Sequence, residues 1–287
     1  MNAPMQAQAT SPVLVTGGTG RLGHLVVARL QDAGRPVRVL SRRPHEAVDG
    51  IEYVTGDLAT GDGLDSAVRG TEIVAYCAGS FSFKKDALMT ANLLRAATGA
   101  GTRHLVYISV VGADRVPTTG RMDRNMFGYF ASKLAQERAV AASGVPWTTL
   151  RATQFHDALL VLARAMAKLP VIPVPAGFRF QPIDTGEVAS RFVDLALGAP
   201  SGRAPDMAGP RAYDLAEIVR AYLQVARKHR PILSLPLPGA AARAVRDGAL
   251  LSPEAAMGRR TWEDFLAEEF GSPSERISTE DDMQRVS

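Results

Sequence analysis

The 287-residue chain carries 33 Lys and Arg against 29 Asp and Glu, a formal net charge of +4, with 46% hydrophobic, 22% charged and 6% aromatic residues. That balance suits a globular chain able to bury a sizeable core, and it excludes fibrous, collagen-like and disordered classes. The basic residues read as spread along the sequence with no DNA-reading motif among them, and a single cysteine, Cys77, excludes a disulfide framework or a thiolate zinc site.

Histidines 24, 45, 104, 156 and 229 show no metal-ligand spacing, so no metal is expected. Residues 1–11 lack the charged start and apolar stretch of a secretory signal, and no run of about 18 apolar residues follows. A cytoplasmic protein is expected, with a small-molecule substrate, no nucleic-acid partner, no membrane insertion, and a monomeric or homodimeric state.

The first predicted strand is Val13–Thr16, followed directly by Gly17-Gly18-Thr19-Gly20-Arg21-Leu22-Gly23 and a helix pattern over 22–33. Strand before and helix after is the context a dinucleotide fingerprint requires. Gly17 serves the tight turn, Gly20 lets backbone approach a pyrophosphate, and Gly23 lets the helix pack closely on the strand. The helix N-terminus offers N–H groups and a partial positive charge to the phosphates.

The second strand, 37–40, ends in Leu40-Ser41-Arg42-Arg43, where an NAD enzyme usually places an acid for the ribose hydroxyls. Two guanidiniums there suit a 2′-phosphate, so NADP(H) is the expected cofactor; the other reading is two solvated arginines in an Arg-rich chain. After the third strand, 52–55, Gly56-Asp57-Leu58 sets Asp57 either against the adenine amino group or at a helix N-cap. The fourth strand, 73–77, contains Cys77, read as a buried structural thiol, and runs into Ala78-Gly79, whose small side chains let backbone lie against the nicotinamide ribose.

Helix patterns at 64–69, 87–100 and 127–143 alternate with strands at 105–109 and 147–151, the rhythm of βαβ units feeding a parallel sheet. Six such strands predict a doubly wound Rossmann fold. On the helix after the fifth strand, Tyr129 and Lys133 stand four apart on one face. A tyrosine near pKa 10 is a reluctant proton relay, and a neighbouring ammonium together with an oxidised nicotinamide would bring it toward neutrality. Tyr129 is then the candidate proton donor and Lys133 its partner, which also holds the nicotinamide ribose; the bland reading is a packed Tyr and a solvated Lys.

The motifs TGGTGRLG, SRRP, GDL, the segment 91–97 before VYISVVG, YFASK and PWTTLRATQFHD together resemble atypical short-chain dehydrogenase/reductases, in particular the NmrA-like NAD(P)H-binding group, kin to the reductase-like accessory subunit of respiratory complex I. The similarity covers residues 13 to about 200. It implies a serine at the end of the fifth strand that assists the tyrosine: Ser109 is the nearest candidate, and the alternative alignment sets Val110, which has no hydroxyl, at that position and favours a non-catalytic protein. The supporting asparagine of the fourth helix has no match, Lys85 and Asp86 standing near its place. The resemblance also sets Phe155 where backbone meets the nicotinamide carboxamide. His156 either orients substrate or bonds to backbone, and Asp184 caps a long helix.

After Ala152 the pattern continues with helices over 155–169, 185–197, 215–228 and 253–270, broken by a proline-rich stretch over 170–182 and a Gly/Pro linker over 200–210. The expected organisation is an NADP-binding Rossmann domain over 12–155, a mixed segment over 156–271 that sends one helix back to the Rossmann core and forms a small substrate-covering lobe, and a mobile tail over 272–287. The expected function is an NADPH-dependent reductase of a small apolar carbonyl or quinone compound. A non-catalytic NADP(H) sensor and a nucleotide-sugar epimerase or dehydratase remain the alternatives.

Overall fold

A computed structural model describes residues 11–271 apart from 47, 49 and 81, and not the side chain of Met122. The expected mobile tail lies outside the described residues. The chain divides into two compact units, one of Met1–Ala152 with Thr185–Asp206, the other of Thr153–Asp184 with Met207–Ser287.

In the first unit, seven parallel strands run in the order β3-β2-β1-β4-β5-β6-β9. They are β1 (Val13–Thr16), β2 (Val37–Ser41), β3 (Ile51–Thr55), β4 (Ile73–Tyr76), β5 (His104–Val110), β6 (Trp147–Ala152) and β9 (Gly202–Arg203). Every residue of β1 and β5 is buried, which is why both read as near-continuous apolar runs rather than alternating ones. Helices α1 (Arg21–Asp32) and α6 (Thr185–Leu197) pack together, as do α2 (Leu64–Val68), α3 (Phe83–Gly99) and α4 (Arg121–Ala141) in sequence. One core joins Leu14, Tyr76, Leu93, Leu105, Tyr107 and Val140. The sheet has one strand more than the sequence pattern predicts, because two residues inside a Gly/Pro stretch are too short to show any period.

The order reverses between β1 and β4, each starting a wing of the sheet from the centre. This switch point leaves a crevice beyond the strands' carboxyl ends, where open α/β sheets take ligands.

The second unit packs α5 (His156–Met166), α7 (Leu215–Val225) and α9 (Trp262–Phe270) around Leu160, Tyr222, Trp262 and Phe265. A parallel pair of strands, β7 (Ile172–Pro175) with β11 (Ile232–Leu235), and an antiparallel pair, β8 (Arg179–Phe180) with β10 (Tyr213–Asp214), flank them, followed by α8 (Ala240–Arg246). Prolines hide β7 from a sequence reading. In the structure the Ile172 and Ala176 amides donate to Pro231 and Leu235. Strand alternation therefore turns Pro173 and Pro175, which lack an N–H, away from β11. The single helix expected over 253–270 is instead a short turn, Pro253–Ala255, and α9, because Thr261 caps α9 by accepting the Asp264 amide at 3.1 Å.

Residues 158–183 and 218–246, which include β7, β11 and most of α7, hold nine Lys and Arg and no Asp or Glu. Among the described residues no helix is long and apolar enough to cross a membrane.

His156 is buried at the start of α5, its ring stacked on Phe265 at 5.0 Å between centroids. Burial pulls its pKa down to about 4, with Asp184 and Asp157 opposing and Arg260 reinforcing that shift. The folded unit thus holds a neutral imidazole that the unfolded chain protonates near pH 6.5, so this stability is complete above that pH and is lost as pH falls toward 4. Urea titrations are expected to show a loss of about 2 kcal/mol from this residue between pH 7 and pH 5, and His156→Phe to remove it. An equal acid loss in the variant would contradict the assignment.

Candidate active site

A groove of about 290 Å³ runs over the carboxyl ends of β1 to β4. Of the residues expected to bind a cofactor, Gly17, Thr19, Gly20, Ser41, Arg42, Asp57, Leu58, Ala78 and Gly79 line it. Gly18, Leu22 and Gly23 are buried in the packing of α1 on the sheet. Arg21 opens α1 and Arg43 is exposed beside Ser41, neither among the lining residues; Phe155 belongs to the second unit, where it N-caps α5 and bridges to Ile183.

Steric contacts explain the glycines. Gly17 has φ +72°, and a Cβ on it would stand 2.8 Å from the Ala78 nitrogen. A Cβ on Gly18 would meet Val39 at 2.8 Å, and one on Gly23 would come within 2.1 Å of the Gly17 carbonyl oxygen. At Gly17 and Gly23 these are distances no side chain tolerates against backbone, and at Gly18 the Val39 side chain would have to shift. No side chain caps the N-terminus of α1 and its first turn holds no acid, so its positive dipole end remains for an anion. The groove therefore fits a dinucleotide: its glycines hold backbone and the α1 N-terminus where phosphates would lie.

At the end of β2, Ser41 Oγ accepts the Arg43 amide at 3.2 Å and meets His45 Nε2 at 2.9 Å, while the His45 ring stacks on Tyr53. His45 thus joins Arg42 and Arg43 at this edge; the sequence reading passed over it because a lone histidine carries no spacing signal. Asp57 does not N-cap a helix, since Gly63 precedes α2. Its Oδ1 instead accepts the Ala59 amide at 2.8 Å within a turn that Asn92 holds by donating to the Leu58 carbonyl at 2.9 Å.

Tyr129 and Lys133 lie on α4 as expected, with Lys133 Nζ 5.9 Å from the Tyr129 ring centre and 4.9 Å from that of Tyr107. Lys133 is buried and donates to the Ile108 carbonyl at 3.1 Å. Burial pulls its pKa down to about 8, against the opposing charges of Asp86 and Glu137. Burial pushes the Tyr129 phenol up to about 12, and Asp86 adds to that. In the chain itself desolvation of the phenolate dominates at Tyr129; the expected lowering calls for the ammonium and an oxidised nicotinamide together. Cys77 is likewise pushed up to about 12 by burial and stays a thiol.

Ser109 lies two residues after Tyr107 on the same strand, so its side chain shares the face that Tyr107 turns to α4, where Tyr107 donates to Gln136 at 2.9 Å. Its hydroxyl is buried and meets no hydrogen-bond partner among the described residues. Val110, the next residue, points to the opposite face.

Asp86, buried in the first turn of α3, links the groove to the pair on α4. Its Oδ1 accepts the Ser80 amide at 2.8 Å and the Ser80 hydroxyl at 2.7 Å, and its Oδ2 accepts the Ser132 hydroxyl at 3.0 Å. Ser80 lines the groove and Ser132 precedes Lys133. Sequence reasoning placed Asp86 only as a near-match to a missing asparagine. No local pattern marks it, because its partners come together only when α3 packs on α4.

Farther along α4, buried Arg151 grips Glu137 through Nε at 2.7 Å and Nη2 at 2.6 Å, and Asp114 through Nη1 at 2.7 Å. This fork ties α4 to β6 one turn beyond Lys133.

A family model described as NAD(P)H-binding matches residues 17–166, more than half of the chain. A (4-alkanoyl-5-oxo-2,5-dihydrofuran-3-yl)methyl phosphate reductase of Streptomyces griseus is 33% identical over 210 residues, which cover 71% of this chain and 70% of that protein. The ceramide reductase of Caulobacter vibrioides is 31% identical over 256 residues, covering 82% and 77% respectively. Among solved structures, an NADPH-dependent quinone oxidoreductase of Escherichia coli complexed with NADPH shares the fold with a TM-score of 0.75 at 21% identity, over 90% of this chain and 100% of that one.

The Gly23 contact is the sharpest constraint on the groove. Gly23→Ala is expected to weaken dinucleotide binding by about tenfold or more, measured by fluorescence titration. Gly99→Ala, at a helix position where a Cβ meets nothing within 4 Å, is expected to leave binding unchanged. Equal affinities for the two variants would show that the loop geometry does not set binding.

Proposed function

The chain belongs to the NAD(P)H-binding family, and we propose that within it this protein is an NADPH-dependent reductase of the short-chain dehydrogenase/reductase superfamily, of NmrA-like type, acting on a small apolar carbonyl or quinone compound. The observation that carries this reading is the hydrogen-bonded link from Ser80 in the groove through Asp86 to Ser132, beside Lys133 and one turn from Tyr129. The names of the relatives, reductases of a furanone phosphate and of ceramide, support the reaction class.

Preference for the phosphorylated cofactor rests on Ser41, Arg42, Arg43 and His45, with no acid from Leu40 to His45 to repel a 2′-phosphate. When bound, the reduced nicotinamide supplies a hydride. The chain's own residues handle the proton. Held near 12, Tyr129 stays protonated throughout the neutral range and is poised to donate to the acceptor oxygen as negative charge develops there. The Lys133 ammonium then stabilises the phenolate left behind. The Ser109 hydroxyl, on the same face, is the group available to orient the acceptor.

Titration with NADPH and NADH, followed by a screen of quinones and small carbonyls for loss of cofactor absorbance, tests the reading. Tyr129→Phe is expected to lower turnover by about 100-fold to 10,000-fold without changing NADPH affinity. Arg42→Ala is expected to weaken NADPH about tenfold or more and leave NADH unchanged. Tight binding with no turnover on any acceptor would instead favour the NADP(H) sensor.

The pH profile provides a separate check. Lys133 is an ammonium below about 8 and loses its proton above it, so kcat/KM is expected to fall as pH rises through about 8. Asp86 opposes the burial of Lys133, so Asp86→Asn is expected to move that limb to lower pH. A limb that stays in place in this variant would remove Asp86 from the site's electrostatics.

A further inference from the structure

We propose that the β7–β11 ribbon and the end of α7 form a docking surface for an anionic lipid bilayer, an activity separate from the redox reading and confined to the second unit.

Because β7 and β11 are parallel, their starts lie at one end of the ribbon, where the Ile172 amide donates to the Pro231 carbonyl at 2.8 Å. Lys168 precedes β7 at that end, and Arg227, Lys228, His229 and Arg230 precede β11. Arg220 on α7 and Arg227, Lys228, His229 and Arg230 border a groove of about 540 Å³ whose lining contains no acid. Among the described residues the ion pairs of this unit are made by other arginines, Arg164, Arg211 and Arg260.

Beside these cations the ribbon shows a bare aliphatic face. Ile172 and Val174 are buried, so alternation turns their cross-strand neighbours' flanking residues outward: Leu233 is 51% exposed and Leu235 45%. Leu169 and Val171 are exposed at the basic end. Cations that meet lipid phosphates, next to leucines and valines that enter the headgroup boundary, are the two signals that together hold a protein on a membrane surface. A single-stranded nucleic acid would call for aromatic stacking platforms, and none stands among these exposed residues.

Arg227 adds a further observation. It is the only non-glycine residue with positive φ among those described, at +51°, and it occupies the position after α7 where glycine ends helices without strain. The chain keeps a cation there at a conformational cost.

The test is flotation of the full chain with vesicles of phosphatidylcholine alone or mixed with phosphatidylglycerol, at low and high salt. Binding is expected only to the anionic vesicles and to be reversed by salt. Each neutralised cation is expected to lower partitioning about fivefold, so Arg227→Gln, Lys228→Gln and Arg230→Gln combined lower it about a hundredfold. Leu233→Ser with Leu235→Ser is expected to lower binding while keeping its salt dependence. Arg227→Gly is expected to raise Tm while lowering binding, which separates charge from folding. NADPH titration of each variant confirms that the chain is intact, and it reports on the redox reading independently. The proposal is overturned if anionic vesicles do not retain the protein at low salt, if neutral vesicles retain it equally, or if a single-stranded oligonucleotide binds more tightly at matched phosphate. It is also overturned if the leucine substitutions break a dimer, which would make a second copy the occupant.

Discussion

Everything at the cofactor groove depends on how closely the first helix approaches the first strand. At Gly23 the backbone lies so near the Gly17 carbonyl that even one methyl group would stand 2.1 Å from its oxygen. Gly17 is pressed in turn against the Ala78 backbone at the end of β4. The loop is therefore wedged between α1 and β4, at the point where strand order reverses. Larger side chains would push α1 off the sheet, and the helix end would no longer face the space over β1 to β4 that a pyrophosphate would fill.

Buried charge sets the chemistry beside that groove. A carboxylate or ammonium out of water needs partners. Asp86 has three donors, and Arg151 is held by two carboxylates, so both are secured as charged groups that fix geometry. Lys133 is less well served, with one carbonyl and the face of Tyr107, and its pKa falls to about 8 accordingly. A lysine balanced between its two protonation states, next to a tyrosine held as a phenol, suits proton traffic better than structural support.

Much of this was legible in the sequence where chemistry is local. The strand–Gly17 loop–helix unit needs only a few contiguous residues, and central strands such as β1 and β5 announce themselves as apolar runs because both faces of a parallel sheet are buried. The Tyr129–Lys133 spacing is equally local. What stayed hidden depends on distant segments meeting: Asp86 gains meaning only when α3 packs on α4, and Arg151 only when β6 meets Glu137. The prolines of β7 disguise a strand because a two-stranded ribbon leaves one edge open, where a missing N–H costs nothing.

The most direct measurement is a single turnover of protein loaded with NADPH deuterated at the transferring position of the nicotinamide, mixed with an apolar ketone. Hydride transfer at this groove predicts that the bound cofactor is oxidised and that the deuterium appears on the carbinol carbon of the product. Bound NADPH that survives with every acceptor offered, ketone or quinone, would contradict a reductase and leave a protein that binds the dinucleotide without turning it over.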